Sequence, residues 1–108
     1  MRKTTVVFST TLALAFGLAV SSAQAFNEPR WYQQQVCLAG AYQALNSSSK
    51  ADNHQQAART SRQKLARSGV PESHIRELER SSRKMLKLGT SKNRQARGPQ
   101  LCNQWYPA

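Results

Sequence analysis

The chain has little of what builds an active centre. Five acidic residues face sixteen lysines and arginines, and there are only two histidines and two cysteines. A metal site needs three or four Cys, His, Asp or Glu side chains at short, regular spacings. His54 and His74 each stand without such neighbours. Glu72, Glu77 and Glu79 lie among arginines and read as ion-pair partners rather than as an acid/base pair. No serine sits in a G-x-S-x-G elbow. No stretch shows the period-two alternation of Val, Ile, Thr and aromatics that marks a strand. Neither catalytic residues nor a metal or other cofactor is expected, and a sheet is excluded.

A long apolar run is also missing from all but the beginning. Met1, Arg2 and Lys3 form a positive start, Val6 to Val20 are almost wholly apolar or small, and Ala23-Gln24-Ala25 supplies the small-x-small pattern of a cleavage site. A membrane span needs about 20 apolar residues. Here Ser9, Thr10 and Thr11 leave an uninterrupted run of nine apolar or Gly residues, Leu12 to Val20. Residues 1–25 therefore read as a secretory signal peptide cleaved between Ala25 and Phe26, and residues 26–108 as one domain. The nearest cysteine after the cleavage position is Cys37, so no lipid anchor is expected and the product is placed in the periplasm of a bacterial envelope.

Disulfides persist in oxidising compartments, and two cysteines permit one intramolecular pairing. Cys37 and Cys102 are expected to form it. The alternative, two free thiols in redox chemistry, lacks the C-x-x-C spacing that lowers a thiol pKa. The bridge closes a loop of 65 residues, worth about 4 kcal/mol by the chain-entropy argument. That is a large share of the roughly 5–15 kcal/mol that holds a domain together.

What is present in excess is positive charge. The whole chain carries a formal +11, and loss of Arg2 and Lys3 with the leader lowers it to +9. Arg30 and Lys50 are balanced by Glu28 and Asp52, and residues 98–108 hold no charged side chain, so the excess lies between Arg59 and Arg97.

Three segments have helical spacing and recognisable ends, which makes the domain all-α. The first helix is expected from near Asn27 to Leu45, with Glu28 and Pro29 in its opening turn and Trp31, Leu38, Tyr42 and Leu45 on one face. Cys37 falls on the flank of that face beside Ala41 and Ala44. The second is expected to start after Ser49, with Asp52 in its first turn, and to stop at Ser68-Gly69, where Gly can take the left-handed cap conformation, with a poor apolar face of His54, Ala57, Ala58, Ser61, Leu65 and Ala66. The third runs from Pro71, in a first-turn position, to Leu88, with Ile75, Leu78, Ser82, Met85 and Leu86 in one stripe. Glu72 stands four before Arg76 and Glu79 four before Arg83, the favourable order for helical ion pairs. Gly98-Pro99 is expected to break any helix before a last short turn containing Leu101, Cys102, Trp105 and Tyr106, tied back to the first helix by its cysteine.

Two functional readings follow from the basic middle. Leu65-Ala66-Arg67-Ser68-Gly69-Val70 followed by Ile75, Leu78 and Glu79 is similar to the centre of a helix-turn-helix DNA reader. An exported protein does not ordinarily meet a promoter, Ala66 is one step late for that motif, and Pro71 stands where a polar cap is usual. A basic face in the envelope meets anionic lipid, peptidoglycan or an acidic protein surface instead, either as a small accessory protein on an anionic polymer or membrane or as a protein binder.

Four features taken together resemble the small periplasmic immunity proteins that neutralise the peptidoglycan amidase effectors of type VI secretion. They are Cys37-Leu38-Ala39-Gly40-Ala41-Tyr42, the polar second helix ending Leu65-Ala66-Arg67-Ser68-Gly69, the Pro71-Glu72 start of a helix carrying Ile75 and Leu78, and Leu101-Cys102-Asn103-Gln104-Trp105 near the end. The resemblance implies an all-helical, disulfide-bonded protein, often a homodimer, that acts by plugging the cleft of a secreted cell-wall amidase. Charge and expected exposure select Arg76, Arg80, Arg83 and Lys87, with Lys92 and Arg94 in the connector that follows, as the residues to meet that partner. The strong basicity and the thin second helix depart from the family pattern.

Overall fold

Asn27 opens the first helix: its Oδ1 accepts the Arg30 N–H at 2.9 Å, satisfying one of the amides that a helix start leaves unpaired. The computed structural model describes residues 26–108, so the leader over residues 1–25, with Ala25 of the cleavage site, lies outside the described residues. The elements in order are α1 (Glu28–Ala44), α2 (Ser48–Arg67), α3 (Glu72–Gly89), a 3-10 turn (Gln95–Arg97) and α4 (Gly98–Trp105). The domain is all-α, and no strand occurs among the described residues.

Two helix ends share one device. Past α1, Asn46 takes φ 59°, its N–H bonds to the Gln43 carbonyl, and the Ser47 N–H reaches back to Tyr42 at 2.9 Å. Past α2, Gly69 takes φ 93°, with Gly69 N–H on Ala66 and Val70 N–H on Leu65 at 3.1 Å. Both are the paired back-bonds of a left-handed helix stop. At the second, Val70 also packs on the cluster that contains Leu65. Pro71 caps α3 from just outside it, its carbonyl accepting from His74 and Ile75, one residue earlier than the expected first-turn position. Gly98-Pro99 likewise begins α4 where a break was expected, because proline costs a helix nothing in its first turn.

Helix α1 is the spine. Tyr32 and Val36 join Ala58 and Leu65 of α2 and Ile75 of α3 in one buried cluster. Cys37, Leu38 and Ala41 join Cys102 and Tyr106 in a second. The expected single stripe on α1 is therefore incomplete: Tyr32, Gln35 and Val36 are buried, Trp31 is half-buried and Leu45 is 36% exposed. A helix packed on two sides needs apolar or small residues round more than half its circumference, which blurs the one-face period. On α3, Ile75 and Ser82 are fully buried as expected, Leu78 and Leu86 partly, and Met85 turns out to solvent.

Small polar residues let the helices close on α1. Ser82 Oγ donates to the Gln33 carbonyl at 2.7 Å, and Ser61 Oγ donates to the Glu28 carboxylate. Both serines are buried, and each thereby keeps its hydroxyl paired where an unpaired one costs about 1–3 kcal/mol. On the other side of α1, the start of α4 crosses at Ala41, where a Cβ on Gly98 would lie 3.0 Å from the alanine methyl. The Cys37–Cys102 disulfide forms beside this crossing, with Cα atoms 5.7 Å apart.

Two outcomes follow. Replacing Cys37 and Cys102 together by serine is expected to lower the unfolding free energy by about 4 kcal/mol, measured by urea unfolding of oxidised parent and variant. At Gly89 the space for a side chain is occupied by the Trp105 indole, whose Cζ2 would lie 2.8 Å from an added Cβ. Overpacking of this kind costs about 1–3 kcal/mol, and the helix-propensity gain of alanine is at most about 1 kcal/mol. Gly89→Ala is therefore expected to lower the melting temperature and shift the Trp105 emission.

Candidate binding face

Arg76, Arg80, Arg83 and Lys87 recur along α3 at positions i, i+4, i+7 and i+11, so they share one exposed side and, with Glu79 and Lys84, line a shallow concavity. Lys92 and Arg94 are exposed as well but lie beyond the helix, outside that concavity. There the backbone turns through Lys92 at φ 59° and Asn93 at φ 65°. The structure thus brings four of the six candidate residues together and leaves two apart.

Each arginine of the array holds a carboxylate of its own helix. Arg76 pairs with Glu72 at 3.3 Å and Arg83 with Glu79 at 2.8 Å, the two pairs expected from spacing; Arg80 pairs with Glu77 at 2.5 Å. These exposed pairs are worth a few tenths of a kcal/mol each. Their larger effect is to fix the guanidinium groups and cut the positive charge of the array. Lys84 and Lys87 have no acidic partner among the described residues.

Sequence reasoning passed over Arg62, which joins three helices. Its Nη1 donates to the Tyr32 hydroxyl at 3.1 Å and approaches Glu79 at 3.6 Å, while Nη2 pairs with Glu72. Burial pushes the Tyr32 phenol above its ordinary pKa, against the opposing pull of the Arg62 hydrogen bond, so the hydroxyl stays protonated and accepts from Arg62. The readable signal was its place on α2, four after Ala58 and three before Leu65. Its partners lie on other helices and leave no mark in local spacing.

Arg62 also closes one end of a trough. Helices α2 and α3 each lie along α1, meet near the Gly69 turn and part toward Ser48 and Thr90, leaving a cleft of about 440 Å³. Ala39 and Gly40 of α1 lie in its floor, Arg59 and Arg62 in the α2 wall, and Arg83 and Lys87 in the α3 wall.

At the opposite edge of the α1–α2 contact, the His54 ring stacks on Tyr42 with centroids 5.4 Å apart and planes 6° from parallel. Its Nδ1 lies 2.7 Å from Oε1 of the buried Gln35. With Gln35 on one nitrogen and Tyr42 against its face, His54 serves the packing of α2 on α1. No grouping of three or more metal-binding side chains occurs among the described residues. No helix there is long and apolar enough to cross a membrane. Comparisons with protein-family models, curated proteins and solved structures find no match to this chain.

Two measurements probe this region. Arg62→Ala removes contacts to two helices and is expected to destabilise by about 1–2 kcal/mol, whereas Arg80→Ala, which loses one exposed pair, should stay within about 0.5 kcal/mol; chemical unfolding compares them. Burial holds the His54 pKa below its ordinary 6.5. The unfolded chain then takes up the proton first, so this contribution is complete above pH 6.5 and is lost as the pH falls below it. His54→Gln should remove that part of the slope in unfolding free energy against pH.

Proposed function

We propose that this chain is an exported, non-catalytic binding protein whose basic α3 side engages an acidic protein partner, and that the partner is a secreted peptidoglycan amidase whose active-site cleft it occludes. The observation that carries the reading is an ordered cationic array, Arg76, Arg80, Arg83, Lys84 and Lys87, on a helix pinned to a disulfide-stapled core. Arginines held in place by Glu72, Glu77 and Glu79 lose less freedom on binding than loose side chains, and the unpaired lysines supply net attraction. The amidase is suggested by the family resemblance alone, and a bridged pair of cysteines agrees with an oxidising envelope compartment. The DNA reading draws less support, because three carboxylates interleave with the arginines that would meet phosphates.

The test is co-expression in the periplasm with a small secreted amidase from a neighbouring gene. A one-to-one complex with blocked hydrolysis supports the proposal, and Arg80→Glu with Lys84→Glu should slow association about tenfold, most strongly at low salt. Salt-sensitive retention on peptidoglycan or anionic vesicles, with no amidase complex, overturns it in favour of an envelope accessory protein.

A further inference from the structure

Three basic residues stand outside the α-helices among the described residues: Lys92, Arg94 and Arg97, all in the connection from α3 to α4. Ser91 to Arg97 is a run of seven exposed residues, the longest among those described. The backbone bond that spans Lys92 and Asn93, from the Arg94 N–H to the Thr90 carbonyl, is 3.4 Å long, beyond the usual range. Lys92 and Asn93 both have left-handed backbone, at φ 59° and 65°, a region that is unfavourable for a residue with a Cβ. A protease cleft binds its substrate as extended chain through the main chain. Opening this turn to that form breaks one long hydrogen bond and uncovers no buried side chain.

The neighbouring sites resist the same change. Arg67 ends α2, but the Ser68 N–H that follows it bonds to the Lys64 and Leu65 carbonyls, and Val70 packs on the first cluster. Arg94 is followed by the 3-10 turn, closed by the Gly98 N–H on the Gln95 carbonyl. Arg97 precedes Gly98, which is buried against Ala41. Every other basic side chain among the described residues lies within an α-helix, where cleavage first needs the helix to unwind. Lys92–Asn93 is therefore the bond after a basic residue that opens most easily.

A cut there does not free α4. Cys102 is bridged to the equally buried Cys37. Cys102 and Tyr106 pack with Leu38 and Ala41, and the Gln34 side-chain amide donates to Asn103 at 3.2 Å.

We infer that the Lys92–Asn93 bond is a processing site for a serine protease of basic specificity, and that the cleaved protein persists as a folded two-chain molecule held by the Cys37–Cys102 bridge. Hydrolysis breaks the amide C–N bond; the hydroxyl of water goes to the Lys92 carboxyl group and its proton to the Asn93 amine. The bridge is then the sole covalent link to α4. Reduction, which leaves the intact chain joined, releases residues 93–108 from the cleaved form and uncovers Leu38 and Ala41. The inference goes beyond the amidase reading and does not depend on it.

Trypsin is the probe, at low ratio to the disulfide-bonded protein, with products followed by mass spectrometry. The first product should have gained one water, stay a single species until reduced, and then divide after Lys92. Its helicity by circular dichroism should match the parent. Lys92→Gln should slow the first cut about tenfold, and Arg67→Gln should leave it within about twofold. Reduction of the cleaved form should release the C-terminal peptide and raise binding of anilinonaphthalene sulfonate. The inference is overturned by a first cut at any other bond, by a Lys92→Gln protein cut as fast as the parent, or by a cleaved product that loses its helicity with the bridge intact.

Discussion

Burial of α1 on two sides at once is the constraint from which the rest of the domain follows. One side carries Tyr32 and Val36 into the joint between α2 and α3, and the other carries Cys37, Leu38 and Ala41 into the crossing with α4. Neither α2 nor α3 presents a wide apolar face, and a helix of their length has little stability alone in water. Each is held because small residues, Ala58 and Ser61 on one and Ser82 on the other, allow close approach to α1. The two clusters are modest, so the covalent tie of α4 to α1 makes up what a core of this size leaves short.

The same arrangement decides where charge is displayed. With their few apolar side chains turned to α1, α2 and α3 leave most of their circumference to solvent, and the basic residues of the middle segment populate it. Three of the five carboxylates in the chain sit on α3 and are spent on arginines of α3 and on Arg62. The positive field is thereby moved from the arginines toward Lys84, Lys87 and Arg59. A cationic side of α3 therefore lies next to an open trough between α2 and α3.

Much of this was legible along the chain and some was not. Helix ends were readable because their signals are local: Asn27 with Glu28, Gly69 followed by Val70, and Pro71 all act within one turn. The bridge was readable because two cysteines admit one intramolecular pairing. The pairs of Glu72 with Arg76 and Glu79 with Arg83 follow from the four-residue spacing of a helix surface. The second buried side of α1 was not legible, since Tyr32, Gln35 and Val36 interleave with Cys37, Leu38 and Ala41 and together obscure any single period. Arg62 was missed for a related reason, its partners being Tyr32, Glu72 and Glu79 on two other helices.

The sequence by itself determined an all-helical domain over residues 26–108 with one disulfide and a basic middle, because each of these depends on composition or on contacts within a few residues. Tertiary structure decided which arginines are compensated, which residues cover each side of α1, and that an open trough lies between α2 and α3. Those outcomes depend on how three helices sit on a fourth. Small residues far apart in the chain set that geometry jointly, and no window along the sequence contains them together.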